Sequence, residues 1–206
     1  MAQSSVSVVV FDIGNVLIEW DPVHLYAKLF PGRPEAMRWF LDTICTSAWN
    51  LEQDAGRPWA AGVGVLVERY PEWRAEIEAY DRRWHEMVPQ VIAGSVAILT
   101  RLAEAGVPVY AITNFSSDKF IESAARFPFF ATFKGVIVSA DEALLKPHAP
   151  IFALLCSRYG VAASQCVFID DNADNVEGAR RAGMTALPFT DAPTLRQALQ
   201  GLGLPA

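Results

Sequence analysis

Four short apolar runs constrain this chain more than any other feature: Val6 to Phe11, Val107 to Ile112, Gly135 to Val138 and Cys166 to Ile169. Each has the length of a strand, is rich in Val and Ile, and is uninterrupted rather than alternating. Such runs suit strands covered on both faces, as in a parallel sheet flanked by helices. Thr185 to Phe189 is a fifth, weaker strand candidate.

Helical patterns separate the runs. Ile98, Leu99, Leu102 and Ala105 recur at helical spacing, and Gly106 follows where a left-handed residue ends a helix. A second helix begins at Ile151, Leu154 and Leu155 and ends near Gly160; a third, Val176 to Ala182, is closed by Gly183; Asp191 to Leu202 predicts a final covering helix. This alternation predicts an α/β fold with a doubly wound, Rossmann-like parallel sheet. The interval from Trp20 to Ile92 breaks the rule, with helix formers, scattered tryptophans and prolines at 31, 34, 58 and 71 but no comparable Val/Ile run. It predicts a helical cap over residues 19–92, inserted after the first strand beside the mouth of the sheet. Residues 1–18 and 93–206 then form the core.

Composition sets limits on partners. With 206 residues, 52% of them hydrophobic, the chain has enough apolar surface for one α/β core and a smaller unit. The formal net charge of -6, without a basic stripe, argues against a nucleic-acid partner. Cys45, Cys156 and Cys166 are odd in number and far apart, which predicts buried thiols in a reducing compartment, hence the cytoplasm. The amino terminus has no basic region before Val8, and no apolar stretch approaches the roughly 20 residues that span a bilayer. A soluble protein without a membrane partner is expected, and its oligomeric state is not legible.

The chemistry lies where the runs end. The first is followed by Asp12, the second by Thr113 and Asn114, and the fourth by Asp170 and Asp171, while Lys146 follows the third by a short loop. In a parallel sheet these ends share one edge, where doubly wound folds bind ligands. Three carboxylates gathered there repel one another and lose solvation unless a cation joins them. With oxygen ligands only, and no Cys or His in the cluster, that cation is expected to be magnesium. Magnesium, Lys146, the Thr113 hydroxyl and backbone amides would hold a dianionic phosphoryl group, so a small phosphorylated molecule is the expected partner. Asp12 would attack it in line, forming an aspartyl phosphate that water hydrolyses. An aspartate ending a buried strand is often only a helix cap or turn former. The company of Thr113, Lys146, Asp170 and Asp171 at matching strand ends favours chemistry.

These residues carry a resemblance. Val8-Val9-Val10-Phe11-Asp12-Ile13-Gly14-Asn15-Val16-Leu17 resembles the first motif of the haloacid dehalogenase superfamily, Ile112-Thr113-Asn114 the second, Lys146-Pro147 the third and Phe168-Ile169-Asp170-Asp171-Asn172 the fourth. All occur in family order, and the helical insertion is similar to the family's cap. Asp12-Ile13-Gly14-Asn15-Val16 and Asp170-Asp171-Asn172-Ala173-Asp174-Asn175 look most like the group containing bacterial phosphatases of glucose 1-phosphate. The resemblance implies that Asp12 is nucleophile and metal ligand, the Gly14 carbonyl a second ligand and Asp171 a third, with Asp170 acting directly or through water. It implies that Thr113, Asn114 and Lys146 hold the phosphate, joined by Asn15 in the turn after the first motif.

One position departs from the pattern. Most phosphatases of the superfamily carry an aspartate two positions after the nucleophile as general acid and base; here Gly14 stands there. Loss of such a group typically costs about 10² to 10⁴ in rate. Either His24 or a cap residue supplies the proton, or the leaving group needs little protonation, as in an anomeric sugar phosphate. Gly14 is also compatible with a 2-haloacid dehalogenase, because halide departs without a proton, but the pair Asp170 and Asp171 speaks against that reading. A receiver-like module is disfavoured by the order of its acidic pair and lysine, and a catalytically degenerate phosphate binder has only Gly14 in its favour. Of the six tryptophans, most are expected in the core, with Trp20 and Trp49 the nearest to pocket residues. His24, His85 and His148 lack metal-ligand spacing and are expected on the surface, while Asp174 and Asn175 are expected only to start a helix.

Overall fold

A computed structural model describes residues 6–206, so the first five residues of the expected core lie outside the described part. Its strands are β1 (Val8–Phe11), β2 (Val109–Thr113), β3 (Gly135–Val138), β4 (Cys166–Asp170) and β5 (Thr185–Pro188). They form one parallel sheet in the order β3-β2-β1-β4-β5, the doubly wound arrangement, and the fifth run is a true strand. The second strand begins two residues later than its apolar run, for a local reason. The Val107 N–H closes the preceding helix on the Leu102 carbonyl at 3.0 Å, and Pro108 has no N–H to give.

Between β1 and β2 lie α1 (Val23–Leu29), α2 (Pro34–Thr43), α3 (Ser47–Asp54), α4 (Trp59–Arg69) and α5 (Arg74–Arg82). The chain continues with α6 (Ala93–Glu104), α7 (Ser117–Arg126), α8 (Ser139–Glu142), α9 (Ala149–Tyr159), α10 (Ala173–Arg181) and α11 (Ala192–Gly201). Gly106, Gly160 and Gly183 follow α6, α9 and α10 with φ of 79°, 65° and 88°, a left-handed conformation that costs glycine little.

The continuous apolar runs are explained by burial on both faces. Val8 and Val10 pack with Ile151, Phe152 and Leu155 of α9 and Val176 and Ala179 of α10. Val9 and Phe11 face the opposite layer, with Ile98, Leu99 and Leu102 of α6 and Leu195 and Leu199 of α11. This second core continues without interruption into the helices that follow β1, where Tyr26, Phe40, Trp49, Trp59 and Tyr80 replace the aliphatic runs. Their rings lie close, at 5.1 Å for Tyr26–Phe40 and for Trp49–Tyr80 and 5.9 Å for Trp59–Tyr80. Aromatic packing therefore helps hold a segment that has no Val/Ile run comparable to the strands.

The segment leaves and re-enters the core side by side. Ile18 bridges Val91 antiparallel, Glu19 N–H donates to the Gln90 carbonyl at 3.0 Å, and Ile92 N–H donates to that of Leu17 at 2.8 Å. Cys45 and Cys166 are buried as expected, whereas Cys156 is only half-buried because α9 is covered on one side alone. Among the described residues no helix is long and apolar enough to cross a membrane.

Two helical glycines have opposite expected effects on stability. A Cβ at Gly178 of α10 would stand 2.4 Å from the Pro147 carbonyl oxygen, a backbone atom that cannot swing aside. Gly178→Ala is expected to cost about 1–3 kcal/mol through overpacking. Exposed Gly64 of α4 has nothing within 4 Å of its Cβ position, so Gly64→Ala should instead stabilise by about 0.5–1 kcal/mol. Thermal unfolding of the two variants should move in opposite directions.

Candidate active site

The carboxyl ends of β1 and β4, at the point where the strand order reverses, put Asp12 beside Asp170. Register fixes this: Phe11 pairs with Ile169, and Asp12 N–H extends the ladder to the Ile169 carbonyl at 2.8 Å. Lys146 arrives from the loop after α8 and inserts its ammonium between the two carboxylates, 2.8 Å from Asp12 Oδ1 and 2.6 Å from Asp170 Oδ2. All three are buried, with Asp170 at 0% and Lys146 at 3% exposure. Asp171, the next residue, is exposed, and its carboxylate completes a group with those of Asp12 and Asp170 whose oxygens lie within 4.8 Å of one another.

The electrostatics are unbalanced, with one buried cation facing three acids. Burial, helped by the neighbouring Asp170 charge, pushes the Asp12 carboxyl up to about 7 although Lys146 opposes the shift. Burial and Asp170 likewise raise that of Asp171. Burial alone would pull Lys146 down, but Asp12 and Asp170 outweigh it and hold the ammonium charged.

A cavity of about 240 Å³ opens over this group, lined among others by Asp12, Gly14, Thr113, Lys146 and Asp171. The expected residues thus come together, but several side chains are already engaged. Asn114 clamps the lysine backbone from both ends of its amide, accepting from Lys146 N–H at 2.9 Å and donating to the Lys146 carbonyl at 3.1 Å. Asn15 adopts φ 52°, a left-handed geometry that asparagine tolerates, accepts from Trp20 N–H at 2.9 Å and donates to Asp171. Both amides therefore shape the loop and orient a charged neighbour. Asp170 accepts from Asn172 N–H at 2.8 Å and Asn175 Nδ2 at 3.1 Å as well as from Lys146. Thr113, 1% exposed, lines the cavity with its hydroxyl free of protein partners among the described residues.

Other expectations change. Trp49 is not a pocket residue: its indole N–H reaches the Gly62 carbonyl at 3.1 Å inside the aromatic core, while Asn50 beside it and Trp84 line the cavity with Trp20. His24 pairs with Glu19 at 2.7 Å and does not line the cavity. His85 and His148 are exposed as expected. Asn175 does more than begin α10, since a side chain one turn into a helix leans back toward its N-terminus, here onto Asp170. That contact was open to inference from helical geometry. Asp54, Ser116 and Asn172 also line the cavity; Asp54 carries no local signal because docking of α3 alone brings it there.

Known proteins share this fold. The pattern that defines the haloacid dehalogenase-like hydrolases matches residues 6–183. The chain belongs to this family. A haloacid dehalogenase family enzyme of Bacteroides thetaiotaomicron, solved with magnesium and inorganic phosphate, superposes with a TM-score of 0.70 at 20% identity, covering 90% of this chain and 95% of that one. An L-2-haloacid dehalogenase does so with a TM-score of 0.70 at 22% identity, covering 95% and 99%. These likenesses show the fold. Among curated relatives, a sesquiterpene phosphatase of Aspergillus oryzae is 29% identical over 100 residues, covering 48% of this chain and 51% of that protein. A phosphoglycolate phosphatase of Pectobacterium atrosepticum is 24% identical over 143 residues, covering 63% and 61%. The chain thus spans little more than half the length of these curated relatives.

The buried pair-and-lysine arrangement makes a measurable claim. Lys146→Met leaves two buried carboxylates without their cation, which is expected to cost about 3–5 kcal/mol at neutral pH. A buried carboxyl held above its unfolded value takes up a proton as pH falls, which removes the repulsion. The melting-temperature deficit against wild type should therefore shrink from pH 8 to pH 5. An equal deficit at both would assign the loss to packing instead of charge.

Proposed function

We infer that this hydrolase is a magnesium-dependent phosphatase of small phosphorylated metabolites, acting through an aspartyl phosphate on Asp12. The carrying observation is the cluster of Asp12, Asp170 and Asp171 around a single buried lysine. It retains net negative charge, and carboxyls driven upward by burial bind either protons or a cation. The donors are all oxygens, which fits a hard divalent ion such as magnesium. Asp12, the Gly14 carbonyl and Asp171 would hold it. Both oxygens of Asp170 already accept hydrogen bonds, so this residue acts by fixing Lys146 and the turn at Asn172.

When bound, the metal supplies positive charge against the oxygens of the phosphoryl group. The chain provides the remainder. Lys146 and the free Thr113 hydroxyl bind those oxygens, and Asp12 attacks phosphorus in line as the ester bond breaks. Water then releases phosphate and restores Asp12.

A cavity of about 240 Å³ suits a small ester. Relatives named for phosphoglycolate and for glyceraldehyde 3-phosphate support the same class, and sugar phosphates belong within it. Residues 19–92 would cap the site. The three free cysteines support a reducing, cytoplasmic setting, with the Cys45 and Cys166 thiols pushed up to about 12 by burial and so inert.

A dehalogenase reading draws on Gly14 and on the similar dehalogenase structures, but halide release gives no use to Asp171 and its neighbours. Phosphate release from a panel of sugar phosphates, nucleotides and small acid phosphates should require magnesium, vanish in excess chelator, and fall to the blank in Asp12→Asn. Halide release from 2-chloropropionate that persists in excess chelator would reverse the assignment.

A further inference from the structure

Gly14 leaves the loop after β1 without a proton-exchanging side chain, and nothing lies within 4 Å of the place its Cβ would occupy. The titratable side chains lining the cavity are Asp12, Asp54, Lys146 and Asp171. Asp12 and Asp171 belong to the carboxylate cluster, and Lys146 is locked between two acids that hold its proton in place. Asp54 remains. We propose that Asp54 is the general acid and base of this enzyme, delivered to the site by the helical segment after β1, a role that rests on the phosphatase reading above.

Its placement is fixed from three directions. Asp54 ends α3, where Asn50 Nδ2 donates to Oδ2 at 3.1 Å. The Ser116 N–H, in the loop after β2, donates to the carboxylate, and the Ser139 hydroxyl of α8 donates to the Asp54 carbonyl. The indole of Trp59 adds a second tie between the two layers, donating to Ser116 Oγ at 2.9 Å. Burial pushes the carboxyl up to about 7, against the Ser116 N–H and the Lys146 charge, so both protonation states are populated near neutral pH.

The surrounding charges are few. Lys146 acts on it from the core, Asp12 and Asp171 share its cavity, and Tyr80 of α5 is close enough to feel its charge. On α8, Asp141 is turned to Ser117 and Glu142 to Arg158. Arg57, on the turn after α3, is engaged by Glu52 and Gln53.

The protons balance over the two half-reactions. As Asp12 forms its bond to phosphorus and the bond to the leaving oxygen breaks, protonated Asp54 gives its proton to that oxygen and the alcohol departs. Asp54, now a carboxylate, takes a proton from the water that attacks the aspartyl phosphate. The Asp12–phosphorus bond breaks, phosphate leaves, and both residues return to their starting state.

The test uses the full chain with magnesium, an alkyl phosphate and 4-nitrophenyl phosphate, whose leaving group needs little protonation. Asp54→Asn should lower kcat/KM for the alkyl ester about 10²- to 10⁴-fold, yet change the single-turnover release of nitrophenol less than tenfold. The wild type should lose alkyl-ester kcat/KM as pH rises through about 7, a limb absent in Asp54→Asn and absent with the nitrophenyl ester. Asn50→Ala removes a donor to the charged form and should move that limb to higher pH. Circular dichroism melting checks the fold of each variant, and the wild-type comparison of the two esters stands even if Asp54→Asn does not fold. Equal losses on both esters, an unaffected variant, or identical wild-type pH profiles would overturn the assignment while leaving the phosphatase intact. A wild type that releases no phosphate from any ester overturns the parent reading, and this one with it.

Discussion

Lys146 meeting Asp12 and Asp170 in the buried end of the sheet is the contact around which the other local features are arranged. Two acids and one base removed from water are costly unless each remaining lone pair and proton finds a partner. The structure meets that demand closely. Asn114 holds the lysine backbone at both its N–H and its carbonyl, and Asn175 and the Asn172 N–H hold Asp170. The bare Cα of Gly178 lets α10 approach Pro147, next to the lysine. One lysine shared by Asp12 and Asp170, with Asp171 beside them at the cavity wall, leaves the cluster net negative, and that excess is what the proposed magnesium ion would balance.

The sheet was legible because its physics is local. A strand covered on both faces must be apolar throughout, and a ligand-binding edge must be polar, so Val8–Phe11 followed by Asp12 announces both the strand and the site. The convergence of Asp12, Thr113, Lys146, Asp170 and Asp171 follows from parallel topology alone. What the motifs did not reveal was which side chains remain free. Asn15 and Asn114 look like anion ligands in sequence, yet each has its amide engaged by neighbours. Trp49 and Asn50 are adjacent, and helical geometry sends them to different places, one to the aromatic core and one to the cavity. Only the docking of α3 decides which is which.

That docking also changes how the missing aspartate at position 14 is understood. Read from the sequence, Gly14 leaves two routes: a proton from His24 or a cap residue, or a leaving group that departs without help, such as an anomeric phosphate. Asp54, from the helical segment, faces the same cavity, so the proposed proton donor takes the first route, under which esters of ordinary alcohols would come within reach. On that reading, selectivity would rest with the walls formed by Trp20, Asn50 and Trp84 more than with leaving-group acidity.

The division of labour has a mechanical consequence. In the proposed mechanism the nucleophile Asp12 follows β1 and the proton sits on Asp54 at the end of α3, and the two belong to layers joined by one continuous apolar core and by the Trp59–Ser116 and Ser139–Asp54 hydrogen bonds. Any tilt of the helical segment that opened the cavity would stretch those bonds and carry the carboxyl away from the reacting oxygen. Proton delivery from Asp54 to a poor leaving group would then require the segment to be seated. Placing the proton on the helical segment would thus tie departure of a poor leaving group to the seating of that segment, a coupling that an aspartate at position 14, fixed to the core beside Asp12, would not provide.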